Sequence, residues 1–280
     1  NEKEYTDLLE GILRDEIKGS KKNSNTKWLT SKANFRWIGW AAAIIIISFG
    51  VYSSSFIEAK SIEKESTTIT YIDKNTSQGQ KSSMKLRDGT VVKLNSNSKI
   101  SFPETFSSTE RVVYLEGEAF FKVAKDASRP FSVVTGGITT TALGTSFNVK
   151  SSNNIANVKV ALVSGKVEVK DDYGSAVILT PNEMVTYNEG KINKRLFNYD
   201  QEVAWSDGKL YFNEKSLNKV FEDLEVWYGF DFEFDLNTPI KGKYSGEFVN
   251  NPSLERVLEG ISYASNFNYE IIGNKILIRN

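Results

Sequence analysis

The sequence predicts a multidomain membrane protein: a short cytoplasmic helix, one transmembrane helix, an all-β domain, and a small α/β domain made of two β-α-β repeats. Three observations carry this. Trp37 to Ile57 is a run of about 21 residues without a charge. Residues 84 to 187 fall into short β-type runs separated by turn signals, with no long helical pattern between them. The C-terminal segment aligns on itself at an offset of about 37 residues. A length of 280 residues also calls for two folded units plus connecting segments rather than one small module.

Composition narrows the functional classes. The 35 basic and 35 acidic side chains leave no global field for a phosphate backbone, so direct nucleic-acid binding is disfavoured. Histidine and cysteine are both absent. That removes the usual zinc sites, thiol nucleophiles, disulfides and His-based triads, and no metal or cofactor is expected. Carboxylate, Ser/Thr and Lys chemistry remain.

The first element lies in a cytoplasmic segment, 1–36. Tyr5, Leu8, Leu9, Ile12 and Leu13 recur at helical spacing and share one stripe. Glu2, Glu4 and Asp7 crowd its start, and Lys18-Gly19 closes it, as the helix dipole and C-cap rules favour. A stripe in so short a segment must meet a partner, lie on the membrane, or complete a bundle with helices preceding Asn1. The acidic polar face argues against a membrane surface, where Lys and Arg are preferred. The five residues are therefore candidates for contact with a cytoplasmic partner.

The second element, 37–57, would form a helix of about 31 Å, matching the roughly 30 Å hydrocarbon core of a bilayer. Trp37, Trp40 and Tyr52 sit near its ends, where amphipathic rings favour the interface. A cleaved signal peptide would have a shorter apolar region behind a short basic start. Here 36 residues come first, so an uncleaved anchor is expected. Lys18, Lys21, Lys22, Lys27, Lys32 and Arg36 precede the span, whereas Lys60 and Lys64 mix with Glu58, Glu63 and Glu65 after it. The positive-inside rule then puts the N-terminus in the cytoplasm and the remainder outside.

Beyond the span, the Ser-, Thr-, Lys- and Glu-rich stretch 58–82 reads as a tether. The β domain covers 83–192. Its runs include Val91–Leu94 after Asp88-Gly89, Val112–Leu115, Ala119–Val123, Phe131–Val134, Ser146–Val149, Val158–Val163, Lys166–Val169 and Ala176–Leu179. Sandwich, barrel and short solenoid all fit this spacing. A linker, 193–205, leads to the α/β domain, 206–280. There Leu217, Val220, Phe221 and Leu224 follow Ser216, and Leu254, Val257, Leu258 and Ile261 follow Ser253: two helices, each with a serine N-cap. Strand patterns flank both, and Gly273-Asn274 marks a final hairpin. The strand Tyr244–Val249 is expected to leave an open sheet edge, with Tyr244, Gly246 and Phe248 as candidates for strand addition by a partner.

Two features raise the question of catalysis. Glu116 and Glu118 would lie on one side of a strand about 7 Å apart, near the spacing of an inverting glycosidase pair. Gly117 between them makes a turn or bulge an equal reading. Phe120, Phe121, Phe131 and Phe147 could furnish a sugar platform, but they fall in strand patterns and read more simply as core. An anchored periplasmic carbohydrate-binding or carbohydrate-hydrolysing protein is the alternative these features support.

The segments LRDGTVVKLNSNSKISFPETF from Leu86, RVVYLEGEAFFKVAKDASRPFSV from Arg111 and LGTSFNV from Leu143 resemble the FecR family of membrane-spanning anti-sigma regulators. The C-terminal duplication resembles the small domain that often follows the FecR domain in one branch of Gram-negative bacteria. The resemblance implies cell-surface signalling with transcriptional output, through a protein in the bacterial inner membrane with its C-terminal domains in the periplasm. The implied periplasmic partner is the N-terminal signalling domain of a TonB-dependent outer-membrane transporter. The implied cytoplasmic partner is an extracytoplasmic-function sigma factor. Some relatives cut themselves at a Gly-Thr bond, which makes Gly144-Thr145 a candidate self-cleavage bond. On the residues alone, Gly144 supplies an unusual backbone conformation and Thr145 pairs in a strand.

Overall fold

The computed structural model describes residues 69–151, 157–188, 190–234 and 241–279, together with Ser48, which is helical. The stripe Tyr5, Leu8, Leu9, Ile12 and Leu13 and the rest of the predicted span 37–57 lie outside the described residues. Among the described residues no helix is long and apolar enough to cross a membrane.

Two seven-stranded sheets face each other across one core, so the three β architectures open from sequence resolve to a sandwich. One sheet runs β1 (Tyr71–Thr76), β4 (Ser98–Pro103), β5 (Arg111–Glu116), β7 (Phe131–Thr135), β8 (Ile138–Ala142), β11 (Val167–Asp171), β12 (Ala176–Leu179). The facing sheet runs β2 (Ser82–Lys85), β3 (Val91–Leu94), β6 (Glu118–Lys122), β9 (Ser146–Ser151), β10 (Asn157–Ser164), β13 (Glu183–Asn188), β14 (Lys191–Leu196). Strand order in each sheet follows chain order, because the chain alternates between sheets and adds one or two strands at each visit. Among these strands only β5 and β7 pair in parallel, since β6 crosses to the other sheet between them.

Period-two alternation sets which side chains face inward. In β5, Arg111, Val113 and Leu115 are buried; in β7, Phe131, Val133 and Thr135 are. Phe121 of β6 meets Phe131 from the opposite sheet, ring centroids 5.9 Å apart, and stacks on Phe147 of β9 at 5.3 Å. Phe120 points to the other face of its sheet, against Ala161, Met184 and Val203.

The described part of one expected connecting segment, from residue 69, and the whole of another are folded. β1 and the start of β2 lie within the predicted tether: Tyr71 to Thr76 pair with β4 and complete one edge of the sandwich. Its edge position explains why no apolar alternation marks it, for only Thr76 of its six residues is buried. The predicted linker is likewise structured. Residues 193–196 belong to β14, which pairs with β13. They lead into helix α1 (Tyr199–Glu202), capped by the Asn198 side chain, and a 3-10 turn, Ala204–Asp207. Val203 and Ala204 are buried, since they cover the outer face of the second sheet.

The C-terminal domain contains β15 (Leu210–Ser216), α2 (Leu217–Tyr228), β16 (Asp231–Phe234), β17 (Lys243–Phe248), α3 (Leu254–Ser265), β18 (Asn268–Ile272) and β19 (Lys275–Arg279). The predicted helix stripes are the buried faces, joined in one core by Phe221, whose ring lies 5.2 to 5.5 Å from Phe232, Phe234 and Phe267. Duplication extends to the backbone: the C-caps Gly229 and Asn266, 37 apart, both adopt the left-handed conformation, with φ of 80° and 53°. Ser253 caps α3 through its hydroxyl, whereas Ser216 makes no side-chain cap and is instead the last paired residue of β15. The strands of this domain form two sheets. β15 pairs antiparallel with β17, while β19, which has no counterpart in the first repeat, sits between β16 and β18.

Candidate interaction site at the domain junction

The site builds up from buried polar side chains in the sandwich. At the start of β5 the inward position is Arg111, fully buried, and its guanidinium lies 2.7 Å from the equally buried Asp88 carboxylate. It also donates to the carbonyls of Arg129 and Ala124 at 2.8 and 3.1 Å. Asp88 accepts from the Thr90 N–H and hydroxyl, which fixes the Asp88-Gly89 turn. A buried charge survives only when paired and hydrogen-bonded, and both conditions are met here.

A second buried carboxylate points at the junction. Gly117, at φ 88°, turns the chain between sheets, because a Cβ there would stand 2.8 Å from the Asn97 carbonyl. Glu118 follows and accepts from Asn95 at 3.0 Å and Asn148 at 2.9 Å, with the Lys150 ammonium 3.0 Å away. The Glu118 charge holds Lys150 above the usual lysine range. Asn148 carries the network out of the sandwich: its carbonyl accepts from the Trp205 indole N–H at 3.2 Å and its amide donates to the Glu202 carbonyl at 3.2 Å. Lys93 of β3 donates to the Ser206 carbonyl at 2.7 Å. The connector is thereby bonded to the sandwich at several points.

The loop between β1 and β2, which carries the chain from one sheet to the other, meets the C-terminal end of α2. A helix leaves its last carbonyls without intrahelical partners, with partial negative charge there. The Gln78 side-chain amide donates to the Glu225 carbonyl at 3.2 Å and the Gly79 N–H to the Val226 carbonyl at 3.2 Å. Lys81 donates to the Trp227 carbonyl at 3.4 Å, its Nζ also 3.4 Å above the Trp227 ring centroid. Burial pulls the Lys81 ammonium down to about 8.

The sequence candidates fall apart from one another. Gly144 has φ 150° and lies so close to Lys125 that a Cβ would stand 2.9 Å from its Cα. Thr145 is buried, its carbonyl accepts from the Val123 N–H at 2.9 Å, and its hydroxyl has no hydrogen-bond partner. Glu116 is exposed at the end of β5 whereas Glu118 is buried in the facing sheet, so the two do not form an acid/base pair. Tyr244, Gly246 and Phe248 share one face of β17, but it is the inward one. Tyr244 packs edge-on to Phe212 at 5.8 Å and over Gly246, and Phe248 packs on Gly260. Lys243, Ser245 and Glu247 are the exposed set, and the second backbone edge of β17 has no strand beside it among the described residues. No three acidic side chains gather as a metal site among those residues.

The Asp88–Arg111 pair and the Glu118 network were missed from sequence. The available signal was a polar residue at the inward position of an otherwise apolar alternation, as in Arg111-Val112-Val113.

Comparison with known proteins agrees with this architecture. A family model described as FecR protein matches residues 73–168, and one described as FecR, C-terminal matches residues 209–278. Two crystal structures of a protein titled "putative anti-sigma factor" from Parabacteroides distasonis ATCC 8503 resemble the chain, at 35% and 34% identity with TM-scores of 0.61 and 0.62. Each comparison covers 75% of this chain and 99% of the other. No curated protein sequence matches.

Proposed function

The chain belongs to the FecR family, and on that premise we propose that it is a sigma-factor regulator of the anti-sigma type, acting by binding rather than catalysis. The carrying observation is that the likeness to the Parabacteroides anti-sigma factor structures takes in 99% of those chains at 34 to 35% identity.

In this reading residues 37–57 cross the inner membrane once, with the N-terminus cytoplasmic and both described domains periplasmic. The stripe Tyr5, Leu8, Leu9, Ile12 and Leu13 meets an extracytoplasmic-function sigma factor. The N-terminal signalling domain of a TonB-dependent outer-membrane transporter meets the C-terminal domain, where the unpaired edge of β17 offers backbone donors and acceptors for an added strand. The signal is a difference in affinity: the transporter must bind one arrangement of the periplasmic part better than another, because equal affinity shifts no equilibrium.

Photo-crosslinking from Leu9 and from Ser245 in the full chain tests both ends. Capture of a sigma factor from Leu9 and of a transporter from Ser245 is expected, together with an altered sigma-dependent transcript on deletion. Absence of any sigma factor at Leu9 and an unchanged transcriptome would refute the regulatory role. Capture from a crosslinker on the sandwich instead of Ser245 would move only the receptor surface.

A further inference from the structure

The loop between β1 and β2 supplies donors to the C-terminal carbonyls of α2. Three donors of different kinds, a side-chain amide, a peptide N–H and an ammonium, meet three successive carbonyls, Glu225, Val226 and Trp227. In most helices such bonds come from the residues that follow. Glu225 has one of that kind, from the Gly229 N–H at 2.8 Å, but the three donors named come from a part of the chain nearly 150 residues earlier, in another domain. The fit leaves no room for a side chain: a Cβ on Gly79 would stand 2.5 Å from the Tyr228 carbonyl oxygen, and one on Gly229 would stand 3.0 Å from the Gln78 oxygen. Gly79 also has φ 73°, which side-chain-bearing residues rarely adopt.

We propose that the 77–81 loop is an interdomain latch, a set of donors supplied across the domain boundary to the end of α2, that holds the C-terminal domain in one orientation on the sandwich and whose release lets that domain swing about the connector. The contact is small, made of a few hydrogen bonds and one cation over an aromatic ring, so its two states differ by an amount that a binding partner can supply. Its other attachment, through Trp205, Asn148 and Glu202, is continuous with the backbone and stays in place as the pivot. This inference rests on the fold, independently of the sigma-factor assignment.

Because the chain has no cysteine, two introduced ones label it uniquely. Tyr173→Cys on the sandwich and Tyr263→Cys on α3 replace side chains that are 83% and 92% exposed. Spin labels there report the domain separation in the full chain by pulsed electron paramagnetic resonance. The parent should give one narrow distance distribution, and Gly79→Ala should widen it about twofold or add a second distance, as a shifted two-state equilibrium requires. Gly174→Ala is the control: Gly174 has φ 95°, but nothing lies within 4 Å of its Cβ position, so it brings the same backbone strain without touching the other domain. The double variant Gln78→Ala, Lys81→Met removes two of the three donors with no backbone strain and should widen the distribution as well. An unchanged distribution in the double variant, or equal widening by Gly79→Ala and Gly174→Ala, would overturn the latch.

Discussion

Asp88 and Arg111 show how one pair of side chains can organise several segments. The carboxylate ties the β2–β3 turn through Thr90, and the guanidinium ties the start of β5 to the loop carbonyls of Ala124 and Arg129. Exchange of such a pair for apolar residues is often neutral, but loss of one member leaves an unpaired buried charge and costs about 3–5 kcal/mol. Asp88→Ala should therefore lower the unfolding free energy by about 3–5 kcal/mol in urea denaturation. The double variant Asp88→Ala, Arg111→Met should recover much of that loss. Equal instability in the single and double variants would show that the charge pair is not the cause.

Among the elements, legibility followed burial pattern. The stripes of α2 and α3 and the alternating runs of β5, β7 and β11 were readable because one face of each meets a core, and the spacing records that face. β1 and β14 were not, because edge strands are exposed on most positions and their pairing depends on a neighbour remote in sequence. The inward placement of Tyr244 and Phe248 was hidden for a related reason. Alternation says that they share a face, but only the helices packed against β17 decide which face is inside. The corner between β8 and β9 carries the Gly144-Thr145 bond. Its left-handed glycine and close approach to Lys125 account for the dipeptide structurally, and no base is bonded to the Thr145 hydroxyl. Purified parent and Thr145→Ala should give identical bands on denaturing gels. A fragment beginning at residue 145 in the parent alone would instead establish self-cleavage.

At the scale of the whole molecule, the described residues from Ile69 onward belong to one compact unit although they hold two separate cores. The two cores are joined by the connector and by the loop between β1 and β2. Trp205 is the central side chain of the connector joint, half-buried and bonded to Asn148. Trp205→Ala should remove that bond and its packing, costing about 2 kcal/mol, and convert one cooperative thermal transition into two. A single unshifted transition would show that the joint adds nothing to coupling.

By itself the amino-acid order determines the charge-free run and its basic flank, the strand-rich middle, the two serine-led helices and the 37-residue repeat, since each depends on spacing within a few turns or on self-comparison. Only the tertiary structure decides that the β domain is a sandwich, that residues 71–76 of the supposed tether and 193–196 of the supposed linker are strands of it, and that Glu116 and Glu118 belong to opposite sheets. It alone reveals that the loop between β1 and β2 bonds to the end of α2. These outcomes depend on contacts between residues far apart in the chain, where local period is silent and only packing, pairing and the demand of each buried polar group for a partner choose the arrangement.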